Sequence, residues 1–502
     1  MSADDEVPSD WKPLLDELES RKRIAQGMGG PERLERLMYA RGKLDARQRI
    51  ARLFDPDSFV EIGALTGGRD IPADALVAGM GRIDGRPVLA GAEDFSVMGG
   101  SIGMGSMAKR VRLCELAMRE RVPLVMMLEG AGHRLTSTLE GGVGRTPNDL
   151  LLLADLHGHV PMVCLVLGAS AGHGALTAPL SDYVVMTESA ALFTGGPPLV
   201  KAATGEDVTK EELGGPKICA EIAGTAHEVA KDDASAIALA RRYLGYFPQS
   251  AGDAPPRRDS PDSGPRRLDD ILALIPPNDR RPYSMHAVLE RLVDAGSLLE
   301  IAPRYGRSLV TALAFLGGHA VGIVANNPAV RAGAVDSPAA IKAAEFLESA
   351  GAFGLPVVFL ADNPGVMAGT KAERDGILKW AGRMFVAQRR LRGPKLHVTL
   401  RKSFGFGAST MGQNPYDRQT LSLVFPGVTM DAMPAVSGGR SARLDDATQA
   451  RVEERQRSGP WRMAAGMTYD EVIDPRELRN ALITGLELSA GRVASQHAAQ
   501  ED

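Results

Sequence analysis

Short apolar runs recur along the chain, each bounded by glycine or proline and followed by a stretch of helical spacing. Residues 123–128, 161–167, 321–325 and 356–360 are such runs. Their alternation with helical patterns predicts buried strands in a mixed α/β fold. Periodicity alone does not separate strand from helix in every one of them. From Trp11 to Leu53 the chain is charged, with Leu34 and Leu37 at helical spacing, which predicts helices wrapped on a first domain.

Two distant segments superpose with one offset. Pro123 pairs with Pro356, Gly132 with Gly365, Pro161 with Pro394, and Gly172-His173-Gly174-Ala175 with Gly405-Phe406-Gly407-Ala408, each 233 positions apart. Gly85 with Gly318, Val88 with Val321 and Gly100 with Gly333 keep that spacing. Upstream, Ser58-Phe59-Val60-Glu61-Ile62 matches Ser297-Leu298-Leu299-Glu300-Ile301 at 239, so the first copy carries about six extra residues between Gly63 and Gly85. One fold duplicated in tandem is expected, with the first domain over residues 1–250 and the second over 275–502. Between them, residues 248–282 hold eight prolines among Arg, Asp, Ser and Gly. That composition reads as a linker at 251–274, unable to bury a core, with a short helix at 268–274.

Length and composition change this picture little. By length alone 502 residues suggest about three domains, but the repeat argues for two. Apolar content of 44% and charged content of 24% are ordinary for a globular chain. A net charge of −4 gives no reason to expect nucleic acid or an anionic membrane as partner. Cys114, Cys164 and Cys219 lack metal-like spacing, so no metal and a reduced, cytoplasmic setting are expected. The acidic start is no signal peptide, and no apolar run reaches the ~18 residues a membrane span needs.

The turn at 168–175 follows an apolar run and precedes a helix-like stretch. Glycines there let the backbone approach a ligand and present consecutive N–H groups at a helix start. Paired donors of that kind suit the oxygen of a thioester enolate, where charge develops as the α-carbon loses its proton. A tight strand-to-helix turn with no ligand has the same sequence, and its recurrence at 402–408 follows from duplication alone.

Further motifs carry a resemblance. They are Ala40-Arg41-Gly42-Lys43-Leu44-Asp45-Ala46-Arg47, then Asp94-Phe95-Ser96-Val97-Met98-Gly99-Gly100-Ser101, and the run Gly195-Gly196-Pro197-Pro198-Leu199-Val200-Lys201-Ala202-Ala203-Thr204-Gly205-Glu206. In the second half stand Asn278-Asp279-Arg280-Arg281-Pro282-Tyr283, Asp362-Asn363-Pro364-Gly365, Arg401-Lys402-Ser403-Phe404-Gly405 and Val472-Ile473-Asp474-Pro475-Arg476. In this order, from about Ala40 to Arg476, they resemble the carboxyltransferase (β) subunits of biotin-dependent acyl-CoA carboxylases, the propionyl-CoA and methylcrotonyl-CoA carboxylase group.

The resemblance implies a crotonase-like ββα spiral in each domain and a homo-hexamer. It implies an acyl-CoA side in the N-terminal domain, a biotin side in the C-terminal domain, and active sites that join domains of neighbouring subunits. By position, Gly172 and His173, with Gly174 close by, match the pair that holds the acyl oxygen. Phe406 and Gly407 match the pair that holds the ureido oxygen of biotin, with Gly405, Ala408 and Ser409 around it. Gly99, Gly100, Lys109, Arg112, Gly132 and Arg134 are expected on the CoA side, Lys109 and Arg112 as phosphate partners. In that scheme biotin itself is the base, and the protein supplies positioning and two oxyanion holes.

Departures from the family pattern are His173 and Phe406, where glycine or alanine is usual, and His133 beside Arg134. A backbone N–H donates whatever its side chain, so the holes survive at His173 and Phe406 provided the local φ is negative. His173 also reads as a new catalytic acid or base, since histidine titrates near neutrality; the expectation taken forward is that His173 and Phe406 restrict ligands by bulk and do no proton chemistry. No Ala-Met-Lys-Met-type biotinylation site and no ATP-grasp-like region occur, so biotin carboxylase and the biotinyl carrier are expected on a separate (α) subunit. Two other readings stand beside this one: a crotonase-type hydratase or decarboxylase, which needs paired carboxylates that the turns do not obviously offer, and a catalytically silent subunit. The acyl group stays open, since the run at 195–206 favours methylcrotonyl and that at 278–283 propionyl or acetyl.

Overall fold

A computed structural model describes residues 8–134 and 148–492; the acidic start read above for a targeting signal lies outside them. The chain forms two compact units, Met1–Leu244 and Gly245–Asp502.

In the first unit, helices Lys12–Gln26, Pro31–Leu37 and Ala46–Leu53 precede the sheet. Asp45 caps the third, accepting from the Gln48 N–H while the Gln48 side chain accepts from the Asp45 N–H. The sheet has seven strands in the order β1 (Val60–Glu61), β2 (Leu76–Ile83), β3 (Arg86–Glu93), β4 (Leu124–Leu128), β5 (Met162–Val166), β7 (Tyr183–Thr187) and β9 (Glu228–Ala230). The first three strands are antiparallel and the rest parallel. Strands β4, β5 and β7 are buried along their whole length, which is why they read as unbroken apolar runs. A parallel pair, β6 (Ala169–Ala171) with β8 (Ala191–Phe193), stands apart from the sheet and carries the glycine turn.

The second unit repeats this plan: β10 (Leu299–Ile301), β11 (Leu309–Leu316), β12 (His319–Asn326), β13 (Val357–Asn363), β14 (Lys395–Phe404), β15 (Leu421–Val424) and β17 (Glu471–Val472), with β16 (Thr429–Asp431) pairing the end of β14. It is a tandem duplication of the crotonase-like fold. The repeat reaches individual side chains. Asp55 accepts from the N–H groups of Asp84 and Gly85 and pairs with Arg241. Asp294 does the same with Gly317, Gly318 and Arg479. Ser58 and Ser297 each donate to the carbonyl three residues before them and accept an N–H of the next strand.

The extra residues of the first half fall in the connection 63–75 between β1 and β2, which ends in the tight turn Pro72–Ala75, where Ala73, Asp74 and Ala75 all have positive φ. The proline-rich stretch packs more closely than its composition suggests. The N–H of Arg258 donates to the Gly318 carbonyl, Arg479 donates to the carbonyls of Asp262 and Gly264, and Leu268 and Ile271 enter the second core. Backbone partners and two apolar side chains, not content of Pro and charge, decide its placement. Helix Ile271–Leu274 lies where a short helix was expected.

Candidate active site

Each glycine turn forms where an extended residue runs directly into a helix. Ala171 is extended (φ −131°, ψ 152°) and helix Gly172–Ala175 follows; Phe404 is extended (φ −124°, ψ 132°) and helix Gly405–Thr410 follows. The reversal of direction needs a left-handed residue, and glycine supplies it at φ 61° (Gly172) and φ 54° (Gly405). His173 and Phe406, one position on, are not among the positive-φ residues, so their bulk costs the backbone nothing. The first N–H groups of each helix have no acceptor within it, and both turns therefore present adjacent donors.

A ladder beneath each turn fixes it. The Ile102 N–H donates to the Gly132 carbonyl (2.8 Å), that of Arg134 to Ile102 (2.9 Å), and that of Ala171 to Gly130 (3.1 Å). In the second unit, Val335 donates to Gly365 (3.2 Å) and Met367 to Val335 (2.9 Å). Close approach explains the glycines: a Cβ on Gly132 would lie 2.7 Å from the Ala171 carbonyl, and one on Gly100 2.3 Å from that of Glu129. Gly99 and Gly100 thus shape the backbone under the turn. A Cβ on Gly407 would lie 2.8 Å from the Gly365 Cα and 2.9 Å from Asn363 Nδ2, a buried amide nitrogen with no hydrogen-bond partner among the described residues.

His173 is held by a residue that sequence spacing did not mark. Its Nε2 lies 2.5 Å from Oδ1 of the fully buried Asp149, on helix Asp149–Leu156. The other Asp149 oxygen accepts from Arg110 Nε (2.6 Å), and Arg110 Nη2 donates to Thr177 Oγ1 (2.6 Å). Burial alone would raise the Asp149 carboxyl, but the His173 hydrogen bond and the Arg110 guanidinium outweigh it and hold the pKa at about 2. Arg110 also reaches Glu93 Oε1 (3.3 Å), while Glu93 Oε2 accepts the Glu129 N–H (2.8 Å). Burial pushes the Glu93 carboxyl up to about 7, against the pull of Arg110. Glu129 in turn pairs with Lys43 and with Arg49. Two carboxyl groups therefore do lie beneath the first turn, which the sequence did not make obvious, and both are tied into buried pairs.

The cations expected on the CoA side sit otherwise. Lys109 is buried in helix Met104–Glu120 and donates to the Ala73 and Leu76 carbonyls (2.6 Å each). Arg134 is buried against Asp74 (2.5 Å) and the Ser101 carbonyl (2.8 Å). Arg112 is exposed and pairs with Glu115. Among the described residues, Lys109 and Arg134 thus satisfy nearby carbonyls and the Asp74 carboxylate. The first unit instead has a cleft of about 260 Å3 lined by Arg41, Lys43, Phe95, Glu129, Gly168 and Lys210, among others.

In the second unit, Phe406 is 43% exposed and leans on Phe385, 5.6 Å between ring centroids. Ser409 Oγ donates to Asn414 Oδ1 (2.9 Å). The motif at 278–283 proves to be a collar: Arg401 donates to the Asn278 and Arg281 carbonyls, lies over the Tyr283 ring at 4.6 Å, and pairs with Asp362 (2.8 Å). No cluster of His, Cys, Asp and Glu able to hold a metal occurs among the described residues, and no described helix is long and apolar enough to cross a membrane.

Residues 37–500 match the family model of the carboxyl transferase domain. The chain is 33% identical to the methylmalonyl-CoA carboxyltransferase 12S subunit of Propionibacterium freudenreichii subsp. shermanii, over 96% of this chain and 95% of that protein. It is 30% identical to the mitochondrial propionyl-CoA carboxylase beta chain of Homo sapiens, over 95% and 90%. Its structure resembles that of the transcarboxylase 12S hexamer with hydrolysed methylmalonyl-coenzyme A bound, with a TM-score of 0.89, 32% identity and 97% of each chain covered. With its two glycine turns on a duplicated fold, this chain belongs to the carboxyl transferase family, as an enzyme of the acyl-CoA carboxyltransferase group.

Proposed function

We propose that this chain moves a carboxyl group between biotin on a separate carrier and the α-carbon of a short acyl-CoA thioester, of the propionyl and methylmalonyl type named in its relatives. The observation that carries this reading is the pair of glycine turns, each starting a helix on a left-handed glycine with adjacent N–H groups at the helix start. In the first unit, the amides around Gly172, His173 and Gly174 hold the thioester oxygen as negative charge moves onto it. His173 narrows the acyl pocket. Arg41 and Lys210, exposed on the cleft, face the phosphates of CoA.

In the second unit, the crowded approach of Gly407 to Gly365 and the unpartnered Asn363 amide fit a planar urea carbonyl better than a bulkier group. The amides of Phe406 and Gly407 would hold that oxygen, and Phe406 would wall the ring. Carboxybiotin supplies the carboxyl group when bound; the protein's part is to fix both oxygens and exclude water.

The test is fixation of labelled bicarbonate with the biotinylated partner subunit and a panel of acyl-CoA esters. Label in the C4 dicarboxylic acyl-CoA formed from propionyl-CoA supports the reading; label in no ester contradicts it. A hexamer of this chain is part of the same proposal, and a monodisperse monomer in light scattering at micromolar concentration would contradict that part.

A further inference from the structure

We propose that the second unit carries a binding site for a diphosphate-bearing anion, in the cavity at the head of strand β14. The cavity, about 290 Å3, is lined by Arg389, Arg390, Arg392, Lys395, Arg418 and Arg492, with Asp417 as the one carboxylate among its lining residues. No residue of either glycine turn lines it. Asp417 is buried and shared by two of the cations, Lys395 Nζ at 2.9 Å and Arg389 Nε at 3.3 Å. Lys395 is buried as well and also donates to Gln388 Oε1 (2.8 Å). Arg390 and Arg418 are exposed and have no ion-pair partner among the described residues. Burial lowers the Lys395 pKa, and the Arg389 and Arg418 guanidinium groups lower it further, against the pull of Asp417. The positive charge of the cavity is thus felt at its floor, and a concave site of one sign gathers ions of the other.

The fold does not require this cluster. At the offset of 233, Leu156, His157, His159 and Met162 stand in the places of Arg389, Arg390, Arg392 and Lys395. Leu156 and Met162 are buried in the core of the first unit, so an apolar residue at the head of the strand serves the same architecture. The loop that closes the cavity is an addition too. Val163 pairs with Tyr183 and Leu396 with Leu421, an offset of 238 against 233 before the turn, so the second half gains five residues between 410 and 421. That segment holds Asp417 and Arg418. Tyr416 and Arg418 flank Asp417 in left-handed backbone (φ 61° and 60°), which neither side chain favours. The loop keeps this unfavourable geometry with Asp417 turned inward and Arg418 on the cavity wall.

The lining selects the ligand by charge and shape. Guanidinium groups take phosphate oxygens in pairs, through two parallel hydrogen bonds. Six cations less one carboxylate leave a surplus of five. One phosphate brings roughly −1.5 to −2 at neutral pH, and two joined phosphates come nearer to that surplus. Free nucleotides and coenzyme A both carry a diphosphate, and this shared group is what the cavity is built to hold.

Isothermal titration calorimetry of the full chain with inorganic pyrophosphate is expected to show one site per chain. Binding is expected to be about tenfold or more tighter than for orthophosphate and to weaken as salt rises. Arg390→Ala and Arg418→Gly are each expected to lower the affinity by ~10–100-fold. Glycine suits the left-handed backbone at position 418, so Arg418→Gly is expected to keep the thermal midpoint, which separates lost binding from lost fold. Competition distinguishes the sources: displacement of pyrophosphate by ADP and coenzyme A alike supports a site for either, and displacement by one alone assigns it to that ligand. Pyrophosphate bound no tighter than orthophosphate, an unchanged affinity in both variants, or displacement by neither ligand overturns the proposal. None of these results bears on the carboxyltransferase reading, which uses no residue of this cavity.

Discussion

Lys109 and Lys342 stand 233 positions apart and make the same contacts, each buried ammonium donating to two carbonyls near the head of an antiparallel hairpin: Ala73 and Leu76 for one, Ala302 and Leu309 for the other. Burial lowers both pKa values to about 8. A device repeated in both halves belongs to the fold and not to one ligand. Lys109→Met and Lys342→Met, which leave two carbonyls unpaired, are each expected to cost about 2–4 kcal/mol in urea unfolding. Lys109→Met is expected to bind acyl-CoA as the wild type does. A large loss of affinity without loss of stability would restore Lys109 as a phosphate ligand.

Glu93 gives a pH dependence with a definite sign. Its folded carboxyl titrates near 7, against 4.5 for an ordinary glutamate, so the folded chain binds the extra proton between those values. The stability it contributes is full below about 4.5 and falls as pH rises through 7. Glu93→Gln keeps the acceptor for the Glu129 N–H and cannot ionise. The variant's stability, relative to wild type, is expected to gain on the order of a few kcal/mol between pH 5 and 8. Parallel pH profiles in chemical denaturation would show that Glu93 stays ionised in the fold.

Arg41 and Lys210 line the cleft beside the first turn and are exposed. As phosphate partners they act on binding and not on the chemical step. Arg41→Glu with Lys210→Glu is therefore expected to raise KM for acyl-CoA about tenfold or more with kcat little changed, an effect that shrinks in high salt. An unchanged KM would move the CoA phosphates elsewhere.

Much of this was legible in the sequence because duplication writes the same backbone demands twice. The positive-φ glycines at 172 and 405, and those at 132 and 365 under the turns, stand in register by their offset alone. The Asp149–His173 contact was not legible. It joins a helix to a turn 24 residues on, and the second half keeps neither partner, so no repeat marks it. The partners of Lys109 and Arg134 were not legible either: charge in a sequence suggests solvent, while these two satisfy buried acceptors. The proline-rich stretch misled by composition, since Leu268 and Ile271 suffice to anchor it.

The most direct measurement is transfer of labelled carboxyl from a carboxylated biotin carrier to propionyl-CoA, run with the wild-type chain and with Gly174→Pro. Proline removes an amide at the first turn, and its ring crowds Glu93, whose Oε1 lies 3.0 Å from a Cβ placed on Gly174. Label is expected in the CoA product of the wild type and to fall by ~10²–10³ in Gly174→Pro, with the oligomer unchanged. A wild-type chain that binds propionyl-CoA but never labels it, or a Gly174→Pro variant that labels it at the full rate, would contradict the assignment of this turn as the enolate site.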